Sequence, residues 1–162
     1  MATTVPSNAT AEIALYERRL DQLYDLVQKA ARSIDPAANV VRTSMVQIDK
    51  QLTGLYSVPS LELSMSGKPG IRLVPKGIYN IGARGRVDAR SRLGTQVLVW
   101  VEDGGPPLTT SFGDGNGVGE SSTRPIFTGV RQGWAWSDNR HLSLTHLTDK
   151  VFIDHVLPEL VA

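Results

Sequence analysis

Between Thr10 and Tyr56, apolar residues recur every seven positions, at Ile13, Leu20, Val27, Ile34, Val41, Ile48 and Leu55. A second set, Tyr16, Leu23, Ala30, Ala38, Met45 and Leu52, interleaves three or four residues later. A 3,4 alternation of this kind places one apolar stripe along one face of a helix. An isolated helix cannot bury such a stripe, so the chain must cover it with a sheet, another helix or another copy of itself.

The stripe is interrupted at Asp35-Pro36. Proline clashes inside a helix but suits its first position, and Asp directly before it is a good cap. The pattern therefore predicts two amphipathic helices, about 10–34 and 36–55, joined as a hairpin or a kink. Thr10 is the expected N-cap of the first, with Glu12 in its first turn. The β-branched run Val40-Val41-Arg42-Thr43 weakens the second helix, and Gly54 with Ser57-Val58-Pro59 ends it. Residues 1–9, small and polar, are expected to form a flexible tail ahead of this coiled-coil-like region at 10–56.

After Pro59 the period falls to two. Leu61, Leu63 and Met65 alternate with Ser60, Glu62 and Ser64, as in a half-buried strand. Ser66-Gly67-Lys68-Pro69-Gly70 reads as a turn, with Ile71-Arg72-Leu73-Val74 as hairpin partner. Strands are expected at 78–81 and 84–92, and Gln96–Val101 is apolar on both faces. Trp134-Ala135-Trp136 and His141-Leu142-Ser143-Leu144 suggest a further hairpin around a Ser-Asp-Asn turn. Thr148 or Asp149 then caps a final helix carrying Phe152, Ile153, Val156, Leu157 and Leu160, which Pro158 kinks or shortens. The expected fold is α+β: amphipathic helices, a mainly antiparallel sheet over 57–162, and a C-terminal helix.

Between Glu102 and Trp134 lie eight of the fifteen glycines. Structureless segments this long are uncommon in compact domains. Strands at Leu108–Phe112 and Pro125–Val130 would reduce the loop to 113–124. The tip Gly113-Asp114-Gly115-Asn116-Gly117-Val118-Gly119-Glu120 is not a nucleotide-binding loop, because no Lys-Ser/Thr follows it, and no helical run follows as a dinucleotide-binding turn requires. Its spacing is also too short for an EF-hand.

The most pointed charge pattern is Arg84-Gly85-Arg86-Val87-Asp88-Ala89-Arg90-Ser91-Arg92. Extended, it puts Arg84, Arg86, Asp88, Arg90 and Arg92 on one face and Gly85, Val87, Ala89 and Ser91 on the other. Guanidinium groups about 7 Å apart suit a row of carboxylates or phosphates. The formal charge of +1 for the chain hides this concentration. Residues 66–92 hold Lys68, Arg72, Lys76, Arg84, Arg86, Arg90 and Arg92 against Asp88 alone, whereas 103–162 is net acidic. No aromatic residue interleaves with the arginines, so a stacking platform for single-stranded nucleic acid is missing.

Other chemistries are excluded or unsupported. There is no cysteine, which removes disulfides, thiolate metal sites and a cysteine nucleophile. Only three histidines occur, His141, His146 and His155, at spacings that form no metal site, and no catalytic signature is present. No metal and no cofactor are expected. Trp134 and Trp136 share a strand face and are expected in the core. No apolar run reaches the roughly 18–20 residues of a membrane span, and the N-terminus lacks a secretory pattern, so a cytoplasmic protein without membrane contact is expected.

The chain thus reads as a non-catalytic interaction or assembly module. The helical seam at Ile13, Tyr16, Leu20, Leu23, Val27 and Ile34 would mediate homo-oligomerisation, or else pack on the chain's own sheet. Arg84, Arg86, Arg90 and Arg92 would face an acidic partner. The alternatives are a nucleic-acid-associated protein using the same arginines on phosphates, and a small enzyme with its site under the Gly-rich segment.

Overall fold

A computed structural model describes residues 7–48, 55–78, 85–102, 107–113, 119–125, 132–138 and 143–161. One helix, α1 (Ser7–Ile34), precedes an antiparallel meander of β1 (Asn39–Ile48), β2 (Leu55–Ser64), β3 (Ile71–Gly77), β4 (Arg86–Ser91) and β5 (Gly94–Val101). A separate two-stranded hairpin, β6 (Pro107–Gly113) with β7 (Gly119–Pro125), is inserted before the meander resumes with β8 (Gly133–Asp138) and β9 (Ser143–His146). The chain ends in a helical segment made of α2 (Asp149–Val151), a π-helical turn (Phe152–Val156) and α3 (Leu157–Val161). The large sheet has seven strands in the order β1-β2-β3-β4-β5-β8-β9, all antiparallel. The architecture is α+β, as expected.

The apolar stripe of α1 meets this sheet. Tyr16, Leu20, Leu23, Tyr24, Val27, Ala30 and Ala31 are fully buried, in one core with Leu61, Leu63, Ile71, Leu73, Val87, Ala89, Leu98 and Phe152. The buried face is wider than a strict coiled-coil seam, as suits a helix lying on a sheet. The helix starts at Ser7, so Thr10 lies inside it rather than capping it, and residues 7–9 are not part of a tail.

The second predicted helix, 36–55, is not formed: Asn39–Ile48 is strand β1, paired over its whole length with β2. Neither a helical hairpin nor a kink exists. Asp35 explains the exit. Its carboxylate accepts the N–H of Ala37 (3.0 Å) and of Ser66 (2.9 Å), and its carbonyl accepts the N–H of Ala38. The resulting turn reverses the chain, and the β-branched residues that follow take the extended form they prefer. Arg42 then ties β1 to the helix, reaching Asp21 (3.0 Å) and Asp25 (2.9 Å) across the ring of Tyr24.

Pro59, expected to mark the end of the helical region, lies within β2, and Pro75 lies within β3. Both occupy the stretch where β2 and β3 have ceased to pair, since their ladder runs only from Leu61↔Leu73 to Leu63↔Ile71. A missing N–H is tolerated where no neighbouring strand requires it. Next to Pro75 the β3–β4 register slips, and Gly77 takes φ 115°, a conformation that glycine adopts without strain.

At the other end of the chain, Thr148 caps α2 by accepting the Val151 N–H. Pro158 does not stop the helix. The turn before it widens, with the Leu157 N–H bonded to the Phe152 carbonyl five residues back. Proline cannot donate to Asp154, and a π-turn at this point absorbs the mismatch. In the Gly-rich segment, the second strand is Gly119–Pro125 rather than the predicted 125–130. Residues 114–118, 126–131 and 139–142 lie outside the described residues, as does most of the strand expected at 78–81. Among the described residues, no helix is long and apolar enough to cross a membrane.

Candidate functional site

Strand register builds a basic tract on the outer face of the sheet. In β4 the inward residues are Val87 and Ala89, both fully buried against α1, so Arg86, Asp88 and Arg90 point the other way. Arg72 of β3 lies directly opposite Arg90, and Glu62 of β2 directly opposite Arg72. The β4–β5 turn carries Arg92 beside Lys68 of the β2–β3 turn, where the two line one shallow hollow with Gly67, Pro69 and Gly70. Five cationic side chains, Arg86, Arg90, Arg72, Arg92 and Lys68, thus follow one another from mid-sheet to its end, and among the described residues only Asp88 and Glu62 oppose them.

Asp88 organises the inner part of this tract. Its side chain is 5% exposed, and it accepts from Arg86 twice, Nε at 2.8 Å and Nη2 at 3.3 Å, while Arg90 Nη2 lies 3.6 Å away. A carboxylate buried this deeply is stable only when paired, and the bidentate fork of Arg86 supplies the pairing. Asp88 thereby fixes the direction of Arg86 and partly neutralises Arg90.

The outer part is less fully compensated: Glu62 is the cross-strand neighbour of Arg72 but forms no ion pair with it. Arg72 and Arg90 are cross-strand partners, and neighbouring strands are about 4.8 Å apart. Like charges directly opposite one another destabilise a sheet. Arg72, Arg92 and Lys68 form no ion pair among the described residues.

The other sequence-predicted residues fall as follows. Arg84 lies outside the described residues. Tyr16, Leu20, Leu23 and Val27 of the presumed oligomerisation seam are fully buried within the single chain, and Ile13 packs at the edge of the same core. Those four are covered by the chain's own sheet and offer nothing for a second copy to touch. Ile34 is the exception: it is 51% exposed and lines an apolar groove with Met65, Ile153, Leu157 and Val161. Arg72 and Lys68 join the tract although the alternating pattern did not select them, because a cross-strand neighbour is visible only once register is known.

The inner face is structural. Trp100 and Trp134 are buried and meet edge to face, with centroids 5.9 Å apart at 84°. The guanidinium of Arg19 sits 4.6 Å from the Trp100 ring, and Trp134 Nε1 donates to the Arg19 carbonyl at 2.7 Å. Trp136 donates to Gln96 and stacks on His155 at 5.5 Å. Tyr16 and Tyr24 are also buried, which pushes both phenols well above their ordinary value of 10.0. Among the described residues, no group of three or more His, Asp or Glu is placed to hold a metal ion. No protein-family model matches this chain, and no curated protein and no solved structure matches it.

Proposed function

We propose that the chain is a non-catalytic interaction module whose outer sheet face receives an acidic segment of a partner protein. The observation that carries this reading is the direct pairing of Arg72 with Arg90. A like-charge pair that costs the free protein stability is relieved when a carboxylate is shared between the two guanidinium groups. Asp88 already does this for Arg86 and Arg90 within the chain. A partner carboxylate over Arg72 and Arg90, with others at Arg92 and Lys68, would extend the same arrangement.

Three features favour an acidic protein over nucleic acid. The tract is short, Glu62 and Asp88 lie within it, and it carries no aromatic side chain on which a base could stack. The test uses a glutamate-rich peptide and a DNA oligonucleotide of equal charge as probes at low ionic strength. The peptide is expected to bind more tightly, with affinity falling as salt is raised, and Arg72→Ala/Arg90→Ala is expected to weaken it about tenfold or more. Tighter binding of the oligonucleotide, or peptide binding unchanged in the double variant, overturns the reading.

A further inference from the structure

Strand β1 is an edge strand of the seven-stranded sheet, and nothing among the described residues pairs with its outer side. Sheets ordinarily protect such edges by making them short, charged, proline-bearing or bulged. The opposite edge, β9, is only four residues long. By contrast, β1 runs for ten residues, Asn-Val-Val-Arg-Thr-Ser-Met-Val-Gln-Ile, without Pro, Gly, Lys or any acidic residue. Its ladder with β2 is continuous over all ten pairs, with no bulge to turn it away. Val41, Arg42, Thr43 and Ser44 are all exposed, although successive residues of a strand point to opposite faces. Around this stretch Arg42 reaches α1 and Val40 and Met45 pack at the edge of the core, while Val41, Thr43 and Ser44 stay open to solvent.

The one charge in the strand is also withdrawn. Arg42 is held against Asp21 and Asp25 on α1, which leaves the edge without net charge. We infer that β1 is a homodimerisation edge, pairing antiparallel with β1 of a second copy across a two-fold axis at Thr43. This proposal is independent of the acidic-partner reading.

Three observations single out a second copy as the occupant. A two-fold at Thr43, beside the midpoint of Asn39–Ile48, overlaps residues 39–47 of both strands and sets residues of the same face opposite one another. In that register Arg42 faces Ser44 rather than another Arg42, and Val41 stands opposite Met45, so no like charges meet. Pairing of β1 with β9 of another molecule would match ten residues against four and would propagate head to tail, whereas β1 with β1 closes on itself. Val41, 45% exposed in the single chain, would gain a cross-strand neighbour.

The test is sedimentation of the full chain against concentration, without any ligand. The wild-type chain is expected to sediment at twice its 17.6 kDa mass as concentration rises. Thr43→Lys/Ser44→Lys sets like charges opposite one another at the axis and is expected to raise the dissociation constant at least about tenfold. Both positions are exposed, and an equimolar mixture with Thr43→Glu/Ser44→Glu is expected to restore the dimer, which a misfolded variant could not do. A wild-type monomer at all concentrations overturns the proposal, as does a dimer that survives the lysine substitutions. A dimer lost in the lysine variant and not restored by mixing overturns the assigned axis.

Discussion

The hydroxyl of Tyr16, on the buried face of α1, donates a hydrogen bond of 2.9 Å to the carbonyl oxygen of Arg86, 70 residues along the chain. The helix is thereby keyed to the strand that carries the basic tract. The contact is close because residue 85 is glycine: a Cβ there would lie 3.2 Å from Tyr16 Cε1 and 3.5 Å from Trp100 Cβ. The Gly85 carbonyl also accepts the Trp100 N–H at 2.9 Å, which holds the start of β4 against β5. Tyr16→Phe is expected to lower stability by about 1–3 kcal/mol, through loss of the hydroxyl's buried hydrogen bonds to the backbone. Gly85→Ala is expected to lower it by about 1–3 kcal/mol, through overpacking against the Tyr16 ring. The urea midpoint of each variant, compared with wild type at unchanged slope, checks both values.

Asp88 separates stability from binding. Its removal strips the buried counter-charge from Arg86 and Arg90 and also raises the positive charge of the outer face. Asp88→Asn is expected to cost about 1–3 kcal/mol while tightening the glutamate-rich peptide. Arg86→Ala is expected to cost more than Arg90→Ala, because Arg86 makes the two short contacts and Arg90 a single one at 3.6 Å. Denaturation and peptide titration on the same samples show whether the two effects run in opposite directions.

Alkaline pH should expose the buried tyrosines. Burial raises the phenols of Tyr16 and Tyr24 above the ordinary 10.0. A group whose folded value is raised stabilises the fold fully below its unfolded value, and that contribution is lost as pH rises beyond it. Stability is therefore expected to fall above about pH 10. Absorbance titration should show these two of the four tyrosines ionising only as the chain unfolds. Tyr16→Phe/Tyr24→Phe should flatten the alkaline loss.

Asp35 acts in the acid range with the opposite sign. The backbone N–H groups of Ser66 and Ala37 hold its carboxyl below the ordinary 3.8. Its contribution is present above that value and is lost as pH falls through the lowered folded value. Asp35→Asn should remove this share of the acid sensitivity, seen as a shallower decline of the thermal midpoint between about pH 5 and pH 2.

The sequence made the buried face of α1 legible because a long 3,4 alternation over 10–34 has one structural meaning once something covers it. The two-residue period over 61–65 and 86–91 likewise identified which residues face inward. Residues 39–48 misled because Val41, Met45 and Ile48 happen to continue the seven-residue spacing. The decisive local signals, β-branching at Val40, Val41 and Thr43 and the Asp35 turn, were outweighed by that coincidence. Arg86 and Arg90 were legible from alternation within one strand. Arg72 and Lys68 showed only as part of the charge excess over 66–92, because only the β3–β4 register and the meeting of two turns bring them alongside.

The most direct test of the acidic-partner proposal is a backbone amide NMR titration of the full chain with a glutamate-rich peptide at low ionic strength. Shift changes are expected to concentrate at Lys68, Arg72, Arg86, Arg90 and Arg92 and to disappear in Arg72→Ala/Arg90→Ala. Changes centred instead on β9 and the C-terminal helix, around His146 and His155, would contradict the proposal, as would a spectrum that the peptide leaves unmoved.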